Sequence, residues 1–267
     1  MLKHRPYQVI LFTALLMTAS FSCTKENNVR PAPLPVVEGY LAPGQNASIT
    51  ISEEILYGST GTLIPITGLM VQITHEGQTY TLTETNAGRY GSLSLPVIAG
   101  GAYRLSFSYN GKEISATTEI PPAPGTVTFS ATEIVVPQIG PGMQLPDPVR
   151  YTWENPDKAY HLMVVRNMEI NPTPITFNIG GNIIEKPAPI FRVPPLRSDE
   201  QQLSLGRFSY YGRHAVLLYR IQPEYAALYE DNSNNSTNLV APPGNIENGL
   251  GIFTGVHAAD TMWIQVR

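Results

Sequence analysis

The segment AYRLSFSYNGKEISATTEI, residues 102–120, decides the fold class of this chain. Apolar and aromatic side chains occupy every second position from Tyr103 to Tyr109, which is the period of a half-buried β-strand. Asn110 and Gly111 follow, and this pair readily adopts the positive φ angles of a type I′ turn. We therefore predict a β-hairpin here and an all-β protein around it.

The same pattern recurs upstream. GLMVQITHEGQTYTLTET, residues 68–85, reads as two short strands joined at Glu76-Gly77. Short strands separated by turn residues continue from residue 36 to residue 122, and the proline-rich PPAPG at 121–125 then interrupts them. We predict a first β-sandwich over residues 36–122. The order of strands and turns is similar to that of transthyretin-like and carboxypeptidase-regulatory-like modules.

A second β-sandwich is predicted over residues 123–267. Trp153 lies in a strand pattern before the turn at Asn155-Pro156, and large aromatic side chains in strands usually fill the core. Stacking on a ligand is the alternative role of Trp153. This part resembles fibronectin type III and immunoglobulin-like domains.

Two interruptions are expected in the second module. Residues 167–207 are proline-rich and are predicted to form an irregular insertion with one short strand near 175–179. Pro223 suits the first turn of a helix, and Tyr225, Leu228 and Tyr229 recur at helical spacing. The fold prediction is thus two tandem β-sandwiches, immunoglobulin-like or transthyretin-like, with one short helix in the second.

The first 22 residues have the pattern of a secretory signal peptide. Lys3 and Arg5 precede an apolar run, VILFTALLMTA at 9–19, which is shorter than the roughly 20 residues of a membrane span. Cys23, the single cysteine of the chain, follows directly after Ser22. The arrangement resembles the lipobox of bacterial lipoproteins, and this resemblance implies acylation of Cys23. An ordinary cleaved signal peptide with an incidental cysteine is the alternative.

Residues 23–35 contain polar residues and then prolines, with no hydrophobic period. Such a composition favours an extended, unfolded linker. We predict a flexible tether between a membrane anchor and the folded part of the protein.

Composition excludes some classes of function. Loss of Lys3 and Arg5 with the signal peptide leaves 15 basic and 21 acidic residues, a net charge of about −6. Basic residues form no stripe, so nucleic acid is not an expected partner. The chain has 22 Gly, 24 Pro and 14 Tyr, a balance that favours strands and turns over helices.

Several motifs together resemble one uncharacterised family of Bacteroidota outer-membrane lipoproteins, known only as a domain of unknown function. They are VVEGYL at 36–41, PITGLMVQI at 65–73, YRIQPEYAALYE at 219–230 and NIENGLGIFTG at 245–255. Members are typically encoded beside TonB-dependent receptors. The resemblance implies a lipid-anchored outer-membrane protein, at the cell surface or facing the periplasm, that assists a β-barrel transporter in nutrient capture. It carries no catalytic residues over to this chain.

The glycines of NIENGLGIFTG have a physical interpretation of their own. Their spacing lacks the strand–turn–helix context of a phosphate-binding loop. We predict a bulged strand in which Ile252 and Phe253 are packing anchors, because glycine permits close approach of neighbouring backbone. A ligand-contacting loop is the alternative.

Residues for catalysis or metal binding are not recognisable. The five histidines are isolated, no zinc or calcium motif occurs, and we expect no metal, no cofactor and no enzymatic activity. Glu53-Glu54 and Asp199-Glu200 could contribute to a glycosidase dyad, although adjacent acids usually lie on the solvated surface. Asp260-Thr261-Met262 matches a short O-glycosylation pattern, with Thr261 as the acceptor.

Three classes of function remain open. A binding or accessory lipoprotein is favoured, with a small molecule, glycan or peptide as its ligand. It predicts exposed aromatics drawn from Tyr210, Tyr211, Tyr225 and Tyr229, since interface centres favour such side chains. Core packing is the alternative role for each of them. A structural or adhesive surface protein is the second class, and a glycan hydrolase with a carboxylate-lined cleft is the third.

Overall fold

The fold is known from a computed structural model, which describes residues 32–55, 61–138, 144–175, 188–229 and 243–267. Strands follow one another along these ranges: β1 Pro35–Leu41, β2 Ala47–Glu53, β3 Gln72–His75, β4 Gln78–Thr81, β5 Thr83–Asn86, β6 Arg89–Ser92, β7 Ala102–Tyr109, β8 Lys112–Glu119, β9 Thr128–Phe129, β10 Glu133–Ile134, β11 Val149–Thr152, β12 Tyr160–Asn167, β13 Ile190–Leu196, β14 Glu200–Leu203, β15 Gly212–Ile221, β16 Leu250–Ala258 and β17 Met262–Val266. Helix α1 spans Pro223–Ala226 and continues into a 3₁₀ turn at Ala227–Tyr229, and a second 3₁₀ turn spans Leu205–Arg207.

The described strands form three sheets. The largest has ten strands in the order β10-β17-β15-β16-β1-β2-β6-β5, with β12 paired to β15 and β13 paired to β12. The second has the order β14-β11-β9, and the third the order β4-β3-β7-β8. Sandwich-like sheets with one short α-helix among the described residues confirm the predicted all-β fold class.

The predicted hairpin at the centre of the first module is confirmed. Strands β7 and β8 pair from Ala102↔Glu119 to Tyr109↔Lys112, and the turn residues Asn110 and Gly111 have φ angles of 49° and 76°. Both angles are positive, as a type I′ turn requires. The chain turns at Glu76-Gly77 in the same way, with φ angles of 48° and 77°.

Two main hydrophobic cores lie within the described residues. The first is built from buried side chains of residues 37–120, together with Phe253 from β16. The second is built from buried side chains between Ile134 and Val266 and includes Trp153, whose side chain is only 6% exposed. The predicted core position of Trp153 is thus confirmed.

The N-terminal and C-terminal parts of the described chain share one sheet. Strand β1 pairs in parallel with β16, from Val36↔Leu250 to Leu41↔Gly255. Strand β16 also pairs with β15, so it lies between the strands of the two predicted modules. Residues 33–267 form one compact unit, and the predicted division at residues 122/123 stays a prediction.

The motif at 245–255 holds this junction together. Asn245 accepts a hydrogen bond from the Phe253 N–H (2.9 Å) and donates to the carbonyl oxygens of Phe253 (2.7 Å) and Thr117 (3.1 Å). The Ser115 hydroxyl donates to the Glu247 carboxylate (2.6 Å). The motif therefore bonds to strand β8 of the first module just before its own strand begins.

The strand predicted for this motif is confirmed, with Ile252 and Phe253 both buried in β16. The predicted bulge is not seen in the ladder with β1, which runs without a shift of register. Gly251, at a φ of 96°, supplies the unusual conformation instead. A Cβ at this position would overlap the Val37 carbonyl oxygen, so close contact between the two strands depends on glycine.

The insertion predicted at 167–207 is more regular than expected. Strands β13 and β14 lie inside it, and Pro194 and Pro195 are part of β13. Among the described strands, β13 pairs with β12 alone and so lies at the edge of the described sheet, where the missing N–H of proline breaks no ladder. The short strand predicted near 175–179 falls almost wholly outside the described residues.

The predicted helix is confirmed at α1, with Pro223 at its first turn. No helix in the described ranges has the length and apolar character of a membrane span. The predicted signal peptide (1–22) lies outside those ranges, as does the tether (23–35) up to residue 31.

Two buried histidines make the stability of the fold depend on pH. Burial lowers the pKa of His161 and of His214. His214 donates from Nδ1 to the Gly212 carbonyl oxygen (3.0 Å), and its Nε2 accepts from the Asn167 amide (3.1 Å). Protonation of Nε2 would place two donors against each other, so the geometry favours the neutral ring.

We therefore expect the free energy of unfolding to fall as the medium is acidified. A folded-state pKa below the unfolded value of about 6.5 means that the unfolded chain binds more protons. Stability is present above the unfolded pKa and is lost as the pH falls through the folded pKa. Urea unfolding at about pH 7.5 and at about pH 5 measures this loss. The free energy of unfolding should fall less between the two pH values for His214→Gln than for the wild type, because glutamine accepts the same hydrogen bond without titrating. Equal losses in the two proteins would contradict this role of His214.

Candidate functional site

A cleft of about 390 Å³ lies on the outer face of the large sheet, beside helix α1. We name it the tyrosine cleft. Its lining residues are Tyr40, Leu162, Val164, Arg166, Ile190, Arg192, Leu217, Tyr219, Tyr225 and Val256. A volume in this range suits a small-molecule ligand.

The floor of the tyrosine cleft is fixed by strand register. Leu162 pairs with Tyr219, and Val164 pairs with Leu217 on one side and with Arg192 on the other. Residues directly opposite each other in antiparallel strands project to the same face. Strands β13, β12 and β15 thus present one continuous floor, whereas Met163 and Val165 face the second core.

Helix α1 forms one wall and is anchored by its own polar residues. The Glu224 carboxylate accepts hydrogen bonds from the hydroxyls of Thr118 (3.1 Å) and Thr254 (3.0 Å). Gln222, just before the helix, donates to the Glu119 carbonyl oxygen (2.6 Å). Ala226 packs in a small cluster with Leu162, Ile221 and Val256. The helix position is therefore set by strands from both predicted modules.

Three tyrosines form a row of aromatic rings along this wall. The rings of Tyr40 and Tyr225 lie 5.2 Å apart, and those of Tyr225 and Tyr229 lie 6.0 Å apart. Burial, with a smaller effect of Glu38, raises the pKa of Tyr40 to about 12. Burial also raises the pKa of Tyr225, and the neighbouring Tyr229 adds to this shift. The phenols of Tyr40 and Tyr225 are therefore neutral at physiological pH.

Two arginines lie at the opposite rim of the cleft. Arg166 and Arg192 are exposed residues of adjacent strands, β12 and β13. Neither forms an ion pair with an acidic residue of the described part of the chain. The charge of Arg192 acts on both phenols, because it lowers the pKa of Tyr40 and of Tyr225 against the effect of burial. The cleft thus combines an apolar floor, aromatic walls and positive charge.

The structure separates the four tyrosines predicted from the sequence. Tyr225 lines the cleft and Tyr229 contacts it in the row of rings. Tyr210 is 6% exposed and is a core residue, and Tyr211 is half-buried and does not line the cleft. Core packing, the alternative role, therefore holds for Tyr210.

Sequence reasoning missed the other polar residues of the cleft: Tyr40, Arg166, Arg192 and Tyr219. Tyr40 lies in VVEGYL, about 180 positions from α1, and no local pattern brings the two together. Arg166 does extend the alternation of Leu162 and Val164 along β12, and this was the available signal. Arg192 falls within the segment that was predicted to be irregular.

The remaining predicted site residues are dispersed. Cys23 lies outside the described residues. Glu54 accepts from the Leu34 N–H (3.3 Å) and Glu53 from the Tyr109 hydroxyl (3.4 Å), whereas Asp199 and Glu200 lie at the start of β14. Thr261 is exposed between β16 and β17. Within the described ranges, no three His, Cys, Asp or Glu side chains are grouped in a way that could hold a metal ion.

A larger groove, of about 730 Å³, lies between residues 123–132 and 257–263. Two of its lining side chains, Trp263 and His257, already have partners. The Arg213 guanidinium lies 3.6 Å from the centre of the Trp263 ring, and His257 Nδ1 is 3.0 Å from the Pro121 carbonyl oxygen. We therefore favour the tyrosine cleft as the binding site.

Fold and site together define an all-β protein of sandwich-like sheets with an exposed aromatic cleft. A family model described as "Domain of unknown function (DUF4249)" matches residues 24–261. The chain belongs to this family. The match confirms the predicted membership of a family of unknown function.

No curated protein matches the chain. Among solved structures, the crystal structure of domains A168–A170 from titin is similar over 71% of this chain and 61% of that chain, with 10% identity and a TM-score of 0.22. The chain thus spans less than two thirds of the titin fragment.

Proposed function

We propose that this protein is a lipid-anchored outer-membrane protein that binds a ligand and assists a TonB-dependent transporter in nutrient capture. Cys23, directly after a signal-peptide pattern, supports the anchor. The resemblance of the motifs to outer-membrane lipoproteins encoded beside such receptors supports the transporter. Both observations are compatible with a protein that faces the cell surface and with one that faces the periplasm.

The observation that carries the binding role is the tyrosine cleft. Its described lining consists of aliphatic side chains, three phenols and two guanidinium groups. Such a set binds through apolar contact and hydrogen bonds. No carboxylate, imidazole, thiol or aliphatic hydroxyl stands among these ten residues to act as a base or nucleophile. This composition supports binding in preference to glycan hydrolysis.

Co-purification from native outer membranes tests the proposal. A C-terminally tagged wild-type chain, extracted in mild detergent, should bring down a β-barrel receptor. Cys23→Ala should fail to anchor and should recover much less of the receptor, since tethering to the same membrane raises the effective concentration of the two partners. An anchored wild type that is recovered alone would contradict the transporter role and favour an adhesive or structural one.

A further inference from the structure

The two arginines of the tyrosine cleft are close neighbours of like charge. Arg192 lies opposite Val164, and Arg166, two residues further along β12, lies opposite Ile190 on the same face. Cations on adjacent strands repel each other, and their repulsion is relieved when an anion binds between them. No acid of the described chain forms an ion pair with either of them. This rim is thus built to accept a negative group.

The chemistry of the rim favours a carboxylate. The planar guanidinium fork matches the two oxygens of a carboxylate. Glu38 lies close enough to Tyr40 to raise the pKa of that phenol, and the whole chain has a formal net charge of −4. Both negative contributions disfavour a dianion, such as a phosphate monoester, more than a monoanion.

The rest of the cleft favours an aromatic body. The rings of Tyr40, Tyr219 and Tyr225 stand around a floor of Leu162, Val164, Leu217 and Val256. The rings of Tyr40 and Tyr225 lie 5.2 Å apart with their planes tilted by 50°. Aromatic pairs in such offset or edge-on arrangements attract each other beyond simple burial.

We propose that the tyrosine cleft binds a small aromatic carboxylate, with the carboxylate on Arg166 and Arg192 and the ring among the lining residues Tyr40, Tyr219 and Tyr225. This inference specifies the ligand class of the binding role proposed above and rests on it. The aliphatic floor contacts the remainder of the ligand.

Calorimetric titration of the full mature chain in mild detergent tests this assignment. The probe is 3-phenylpropionate. The comparison compounds are 3-phenylpropan-1-ol, which keeps the ring without the charge, and inorganic phosphate, which keeps the charge without the ring. We expect the acid to bind about ten- to a hundredfold more tightly than the alcohol, as the loss of charge-assisted hydrogen bonds predicts.

Arginine variants locate the binding site. Arg192→Met keeps an unbranched apolar stem and removes the guanidinium group, and it should weaken binding of the acid about tenfold or more. Arg192→Lys keeps the charge but loses the planar fork of the guanidinium group. Its affinity for the acid should therefore lie between that of the wild type and that of Arg192→Met. Arg150→Met is the matched control, because Arg150 is an exposed arginine on β11, in another sheet, and this change should leave binding unaltered.

Three results would overturn the assignment. They are equal affinity for the acid and the alcohol, tighter binding of inorganic phosphate than of the acid, and equal effects of Arg192→Met and Arg150→Met. Absence of binding of all three probes also overturns it. Failure here, with a receptor that still co-purifies, contradicts the ligand class alone. Binding here without a co-purifying receptor contradicts the transporter role alone.

Discussion

Replacement of Phe253 by alanine is expected to lower the free energy of unfolding by about 3–5 kcal/mol, the usual cost of removing a buried phenylalanine. The Phe253 side chain is fully buried. It comes from β16, near the C-terminus, yet it packs in the core built by residues 37–120. Its removal leaves a cavity at the junction of the two predicted modules. Urea unfolding followed by circular dichroism measures the loss.

Phe129→Ala is the matched control for this prediction. Phe129 is a half-buried phenylalanine in β9, at the margin of the second core. A half-buried side chain removes less apolar surface from water on folding than a fully buried one, so we expect a smaller loss of stability for Phe129→Ala. Equal losses for the two variants, or a loss below about 1 kcal/mol for Phe253→Ala, would show that β16 does not complete the first core.

Substitution of Gly251 by alanine is expected to cost at least about 2 kcal/mol. The φ angle of 96° is one that side-chain-bearing residues rarely adopt, and holding such a residue there costs about 1–3 kcal/mol. A Cβ would also overlap the Val37 carbonyl oxygen, a backbone atom that can move only if the β1–β16 ladder shifts. Overpacking of this kind adds about 1–3 kcal/mol. Thermal or urea unfolding provides the measurement.

Gly206→Ala is the control for Gly251→Ala, because it shows the effect of replacing a glycine that has no close neighbour. Gly206 lies in the 3₁₀ turn at Leu205–Arg207, and a Cβ there would meet no atom within 4 Å. Its substitution should change stability by no more than about 0.5 kcal/mol, as at most surface positions. Similar losses at Gly206 and Gly251 would refute the close contact between β1 and β16.

Local features of the fold were predictable because short-range chemistry determines them. Alternation of apolar residues and the Asn110-Gly111 pair specify the β7–β8 hairpin within nineteen residues. Pro223 and the helical spacing behind it specify α1 in the same way. Trp153 was predictable because a large aromatic residue in a strand has few favourable places other than a core.

Long-range pairing was not predictable from one sequence. The parallel ladder between β1 and β16 joins residues more than 200 positions apart, and neither strand carries a local signal for its partner. Strand β13 was missed because its two prolines normally argue against a strand, and they are tolerated at sheet edges and at irregularities such as the register shift between β12 and β13.

The candidate site was not predictable as a whole, because it depends on the same long-range strand pairing. Tyr225 and Tyr229 were recognised as aromatic candidates, but the cleft exists only because β1, β12, β13, β15 and β16 meet beside α1. Its positive rim needs the register between β12 and β13, which no periodicity along the chain encodes. By contrast, the prediction for Cys23 depends on adjacent residues alone and stays a prediction.

The most direct test of a lipid-anchored, transporter-associated binding protein is native mass spectrometry of the untagged protein released from its own outer membranes. Our account predicts an assembly that contains this chain, acylated and beginning at Cys23, together with a β-barrel receptor. A chain that carries no acyl group, or an acylated chain that is observed only by itself, would contradict the account.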